Sequence, residues 1–365
     1  MKKVLIIIST SFVSYGGLAT VMMNYYTHMD LDNIQIDFAS NNTPDNKILE
    51  MLRGNSKYYN LGKRKNIFQY ILFRYLPYFR KKTINRIANK EDYSFAVGYI
   101  EGRSATWVSD IKKNIKKIAW IHCDVSKFDI GISDTEAKKA YDEMDKIICV
   151  SKMAKESFCK KYSIPGDKVS VIYNFINEDD VKKKALEFDV NNRTITFTNV
   201  AKMRDEKRQD RLVNAANNLK KKGYRFKIQL IGDGPNLEKI KKQVEDENLN
   251  DFVEILGLKK NPYPYIKNCD YFILTSDSEG YGIVIKEALT LKKKIISTDT
   301  VGPNEILDGG HYGIIIPNTD ISVQNIIKDI LDNPKKYDYL DERLLNYTSD
   351  NNSIKKKILQ LFKEQ

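Results

Sequence analysis

Short apolar runs separated by longer amphipathic segments recur along this chain, and the pattern starts twice. The first series has apolar, β-branched runs at 4–8, 34–39, 58–61, 95–99, 118–122, 146–150 and 169–172. The second restarts after about residue 190, at 194–198, 227–231, 253–256, 271–275, 294–298 and 313–316. Strands that alternate with helices predict parallel sheets covered on both faces, the doubly wound α/β class. Two series predict two such domains, here 1–175 and 193–345, joined by a linker at 176–192. A Lys-rich helical segment follows at 346–365.

Length agrees, since 365 residues exceed one typical hydrophobic core. An apolar content of 42% is enough to fill two. The net charge of +12 is spread through Lys-rich helices as well as clustered, so it does not single out nucleic acid. The four cysteines form no C-x-x-C pair, which argues against a zinc site. Several lie in strand-like runs, as buried reduced thiols do, and a reducing cytoplasm fits. The apolar run at 4–8 is too short for a signal peptide and leads into Ser-Thr-Ser, so it reads as a first buried strand. No run approaches the about 18 apolar residues of a spanning helix. A cytoplasmic protein, soluble or peripheral on the membrane, is expected.

Ligands of doubly wound sheets bind beyond the carboxyl ends of strands, and several polar motifs fall there. The richest is Ser276-Asp277-Ser278-Glu279-Gly280-Tyr281-Gly282-Ile283-Val284-Ile285-Lys286-Glu287-Ala288. A strand, a glycine turn and a helix start make a backbone anion site. Glu287 would then take ribose hydroxyls and Glu279 sugar hydroxyls, the chemistry of a sugar-nucleotide site. Lys202 and Lys207 follow the first strand of the second domain. Two cations beside a helix start suit a diphosphate, although a solvated basic turn reads the same way. Gly16-Gly17 opens a helix after the first strand, where paired glycines let backbone approach a phosphate. It lacks the G-x-G-x-x-G dinucleotide fingerprint, and a plain strand-to-helix turn is the equal alternative. Gly232-Asp233-Gly234-Pro235 is either a ligand contact or only a tight turn with proline at a helix start. His122 ends a strand, where it can hydrogen-bond sugar hydroxyls or move a proton, with Asp124 as a neighbour.

These motifs resemble those of the family 4 (group 1) retaining glycosyltransferases. The 276–288 string resembles the E-x(7)-E signature, S-x-x-E-G-F-G-x-x-x-x-E-A. Residues 199–212 resemble N-x-A-R-L-x-x-E-K-G-x-D-x-L, with Lys202 at the Arg position and Lys207 at the Lys position. Residues 300–306 are similar to the G-G-x-x-E-I turn. One departure is 291–294, Leu-Lys-Lys-Lys, where the family has A-x-G-x-P. The resemblance implies the GT-B fold, two Rossmann-like doubly wound domains with a cleft between them and a last helix that crosses back to the first domain. It implies Glu279, His122 and Lys207 as the catalytic set. Gly16, Gly17, Lys202, Lys207, Gly232, Gly280, Tyr281, Gly282, Ile283 and Glu287 would bind the donor, and His122 and Asp124 would lie toward the acceptor.

The implied activity is retaining transfer from a nucleotide-diphosphate sugar, UDP-linked by expectation. The acceptor would be a glycan or lipid-linked saccharide of surface polysaccharide assembly. No D-x-D motif stands near the lysines, so neither metal nor cofactor is expected. A GT-B sugar-nucleotide epimerase and a non-catalytic GT-B scaffold are the alternatives. Basic triplets 63–65 and 80–82 flank an aromatic stretch, 66–79. That pattern suits a helix lying on anionic lipid, or equally one packed into the first domain, with Pro77 expected to break or kink it. No RNP or helix-turn-helix pattern supports a nucleic-acid partner.

Overall fold

The computed structural model describes residues 2–10, 12, 17–28, 33–41, 44–52, 54–61, 77–127 and 129–363. The chain forms two compact units, Met1–Phe175 with Asp350–Gln365, and Ile176–Ser349. Each is a parallel sheet with helices between its strands.

The first sheet holds β1 (Lys2–Ile8), β2 (Ile34–Ser40), β3 (Tyr58–Asn60), β4 (Phe95–Gly98), β5 (Lys116–Ile121), β6 (Lys146–Cys149) and β7 (Val169–Val171). Its order is 3-2-1-4-5-6-7. The second holds β8 (Thr196–Val200), β9 (Lys227–Ile231), β10 (Val253–Gly257), β11 (Tyr271–Leu274), β12 (Lys294–Thr298) and β13 (Ile314–Ile316), in the order 10-9-8-11-12-13. Strand order reverses beside β1 in one sheet and beside β8 in the other, and crevices open at such switch points. The central strands are apolar on both faces: Val4, Leu5, Ile6, Ile7 and Ile8 are all buried. Only a sheet covered on both sides can bury such a run.

The helix Asn351–Leu361 belongs to the first unit. It buries Ile354, Ile358 and Leu361, an i, i+4, i+7 stripe. Beyond it Phe362 stands edge-on to Phe95 with ring centroids 5.4 Å apart, and Lys2 Nζ donates to the Lys363 carbonyl at 2.9 Å. Residues 176–192 contain the helix Glu178–Lys184, capped by Asn177 and part of the second unit. Its three acidic residues come first and its three lysines last, matching the helix dipole. Pro77 opens the helix Pro77–Ala88 instead of breaking one, because the first helical position needs no N–H partner. The stretch 63–76 lies outside the described residues. At 291–294 the turn is made by Lys292 in a left-handed conformation, φ 56°, and its ammonium bonds the Leu345 and Tyr347 carbonyls at 3.4 and 2.7 Å.

Phe362→Ala is expected to cost the first unit about 3 kcal/mol by emptying a buried aromatic site. Urea unfolding checks this; a loss under about 1 kcal/mol would show that the last helix adds little.

Candidate active site

In the second unit β8 and β11 are neighbours, so the segments that leave their carboxyl ends run side by side. Thr275 Oγ1 donates to the carbonyls of Lys207 and Arg208 at 3.1 and 3.0 Å. The Asp277 amide donates to the Glu206 carbonyl at 2.8 Å. This stitching brings Lys207 Nζ to 2.7 Å from Glu279 Oε1, although 72 residues separate them. Both side chains are largely covered, at 18% and 13% exposed, so solvent screens the pair less than a surface one. Ser276 Oγ donates to the same Glu279 oxygen at 3.1 Å. Lys202, one strand end away, is exposed and has no side-chain partner among the described residues.

After Glu279 the chain turns through Gly282 in the left-handed region, φ 81°, and enters the helix Ile283–Thr290. The amides of Gly280, Gly282 and Ile283 have no acceptor among the described residues. The turn is held from behind by Gly302. A Cβ there would lie 2.4 Å from the Tyr281 carbonyl oxygen, so only glycine fits. Tyr281 is buried, with Lys286 Nζ 5.9 Å from its ring centroid. One turn into the helix, Glu287 is 8% exposed and accepts a hydrogen bond from Tyr263 Oη at 3.0 Å. Burial pushes its carboxyl up to about 7, against the hydrogen bond from Tyr263 and the charge of Lys184.

Gly232 has a different duty. Its amide donates to Gly257, and a Cβ on it would sit 1.9 Å from the Ala201 carbonyl oxygen. Gly234 is pressed in the same way against Met203. The G-x-G turn therefore locks β9 to the loop that carries Lys202.

In the first unit Gly17 opens the helix Gly17–His28 with open space beside its Cα, and Gly16 lies outside the described residues. His122 follows β5. Its backbone amide donates to Glu101 Oε2 at 3.0 Å, and its ring stands edge-on to Tyr99 at 4.6 Å. Its Nε2 is buried with no partner among the described residues, and burial pushes the imidazole down to about 3, so the ring is neutral at physiological pH. Asp124 turns inward. Its Oδ1 accepts from the Ser126 amide and hydroxyl and from Ser157 Oγ, at 3.0, 2.6 and 2.5 Å. Burial pushes this carboxyl up, but those hydrogen bonds outweigh it and hold it below its ordinary value. Three donors inside the first unit thus hold one oxygen of Asp124.

Of three further residues around the two glutamates, Ser276 and Gly302 lay inside motifs read from the sequence without a role of their own, and Tyr263 was not named. Ser276, three positions before Glu279, was within reach of spacing arguments. Tyr263 and Gly302 were not, because their contacts join segments far apart in the chain.

Two family models match in succession, Glycosyltransferase Family 4 over residues 15–180 and Glycosyl transferases group 1 over residues 180–345. The chain belongs to the family 4, group 1 glycosyltransferases. It is 26% identical over 197 residues to the N-acetylgalactosamine-N,N'-diacetylbacillosaminyl-diphospho-undecaprenol 4-alpha-N-acetylgalactosaminyltransferase of Campylobacter jejuni, covering 53% of each protein. It is 29% identical over 124 residues to the poly(ribitol-phosphate) alpha-N-acetylglucosaminyltransferase of Staphylococcus aureus, 34% of this chain and 25% of that one. The chain spans about half the length of the first curated relatives it matches. Among solved structures, Anabaena HepE in complex with UDP and glucose superposes with a TM-score of 0.77 at 16% identity over 99% of both chains. The outer core galactosyltransferase WaaB gives 0.72 at 16% identity, over 99% of this chain and 100% of that one. These likenesses establish the GT-B fold.

The Glu287 carboxyl titrates near 4.5 when unfolded and near 7 when folded. Between those values the folded state binds more protons, so stability falls as pH rises from about 4.5 to about 7. The shift corresponds to about 3 kcal/mol. Glu287→Gln removes it, so the variant should gain roughly 2–3 kcal/mol on wild type between pH 5 and 8. Urea midpoints across that range check this, and a difference that does not vary with pH would contradict it.

Proposed function

We propose that the chain transfers a sugar from a nucleotide-diphosphate donor, UDP-linked, to a glycan or lipid-linked saccharide acceptor with retention at the anomeric carbon. The observation that carries this reading is the Lys207–Glu279 pair beside the amides of Gly280, Gly282 and Ile283, which have no acceptor among the described residues, with Glu287 one turn further on. Lys207 and Lys202 neutralise the diphosphate, together with the amides at the helix start. Glu279 accepts hydrogen bonds from donor sugar hydroxyls, and Glu287 from the ribose. Charge develops on the leaving diphosphate as the anomeric C–O bond breaks. The acceptor oxygen bonds the same carbon from the same face, and its proton passes to the departing phosphate oxygen. The lysines carry the charge, so the reading needs no metal. The choice of UDP draws support from the likeness to HepE, whose structure holds UDP. Transfer to lipid-linked glycans draws support from the Campylobacter relative.

Calorimetry of the whole chain against UDP, GDP and ADP in EDTA tests the donor. Binding of UDP alone is expected, weakened about tenfold or more by Lys207→Ala. Glu279→Ala should keep UDP affinity and lower transfer about a hundredfold. If no nucleotide binds, the transferase reading falls.

The same reading places the protein on the cytoplasmic membrane face. No helix among the described residues is long and apolar enough to span a bilayer. The helix Pro77–Ala88 presents Tyr78 and Phe79, 67% and 41% exposed, beside exposed Lys82 and Arg86. Asp110 takes up Arg80 and Lys81, each at 3.1 Å, which leaves a smaller basic surface than the triplet alone suggests. Co-sedimentation with phosphatidylglycerol vesicles at low salt is expected, and replacing Tyr78 and Phe79 by Ser should abolish it. Binding unchanged by that substitution would remove this helix as the contact.

A further inference from the structure

Arg208 directly follows Lys207 and lies in the left-handed region, φ 52° and ψ 42°. The motif that residues 199–212 resemble has glycine at this position, the residue that adopts such a backbone without strain. The Arg208 guanidinium pairs with Asp210 at 2.9 Å, Asp277 at 3.3 Å and Asp320 at 3.1 Å. Arg211, one turn on and 4% exposed, reaches the same two distant carboxylates, Asp277 and Asp320, each at 2.9 Å. It also donates to the Thr275 carbonyl at 2.9 Å and to Asn318 Oδ1 at 2.5 Å. Asn318 Nδ2 in turn donates to the Asp277 carbonyl at 3.2 Å. Two arginines and two aspartates thus form a closed ring. It joins three separate segments, the Lys207 turn, the loop leading to Glu279, and the start of the helix Asp320–Asp332.

We propose that Arg208 and Arg211 are positioning residues that fix the Glu279 loop against the Lys207 turn through Asp277 and Asp320. Asp277 lies two residues before Glu279, and Arg208 one residue after Lys207, so the ring acts immediately beside both groups. The backbone stitching by Thr275 and Asp277 holds the segments together, while the ring braces them against the helix at 320–332. The two distant carboxylates are about half exposed, at 45% and 55%, so solvent screens their pairs with the arginines. The proposal rests on the donor site described above.

Arg208→Gly separates stability from positioning, because glycine relieves the strained backbone while it opens the ring. In the full chain, its melting temperature should equal or exceed that of wild type. With the donor that wild type uses, kcat should fall about tenfold or more while donor KM changes less than about twofold. Asp320→Asn, on the far side of the ring, should lower kcat similarly, and the double variant should be no slower than either single one. Wild-type kcat in Arg208→Gly, or independent additive losses, would overturn the proposal. A second readout needs no donor. The labelling rate of Lys207 by an amine-reactive reagent, read by mass spectrometry, should rise severalfold in Arg208→Gly while that of Lys202 stays constant. Unchanged Lys207 labelling would overturn the proposal even if wild type bound no nucleotide, a result that by itself would sink only the donor-site reading.

Discussion

One buried hydroxyl and one amide hold the candidate site of the second unit together. Thr275 Oγ1 reaches two carbonyls at 207 and 208, and the Asp277 amide reaches Glu206. Everything chemical nearby depends on this junction, because Lys207 and Glu279 sit on opposite sides of it. The junction exists because β8 and β11 are neighbours at the reversal of strand order. Parallel neighbours end at the same edge, so their following loops must run together.

The glycines divide by physical role. Gly302 and Gly232 are each pressed against another segment's carbonyl, at distances no Cβ tolerates, and they set how closely two loops approach. Gly282 instead supplies a left-handed turn with ordinary space around it. That turn leaves three amides without an acceptor among the described residues at the start of the helix Ile283–Thr290. One motif letter therefore covers both close backbone packing and a left-handed turn, and only the neighbouring backbone distinguishes them.

The charged groups are treated in two ways. Lys207 and Glu279 neutralise one another in a partly covered site. Glu287 is buried against a tyrosine, and burial raises its carboxyl to about 7, near physiological pH. A carboxylate held there gains from any ligand that brings hydroxyl donors, since burial without partners is unfavourable.

The positions of the strands were legible in the sequence, because a sheet buried on both faces demands uninterrupted apolar runs. Their ends were less so. Tyr99 and Val150 leave the strands although their amides still bond the neighbouring strand, at 3.0 and 3.1 Å. β1 begins at Lys2, ahead of its apolar residues, because backbone pairing with Ile34 and Gln35 does not require an apolar side chain. The two glutamates and the glycine turn were legible as one string and Lys207 as part of another, since spacing along a strand–turn–helix unit is local. The hydrogen bond to Asp124 from Ser157, 33 residues away, was not legible in the local sequence. Tyr263 against Glu287, Gly302 against Tyr281 and the arginine ring with Asp277 and Asp320 were decided only by the tertiary structure. Each is a contact between segments whose proximity follows from strand order, and strand order leaves no mark on the local pattern of residues.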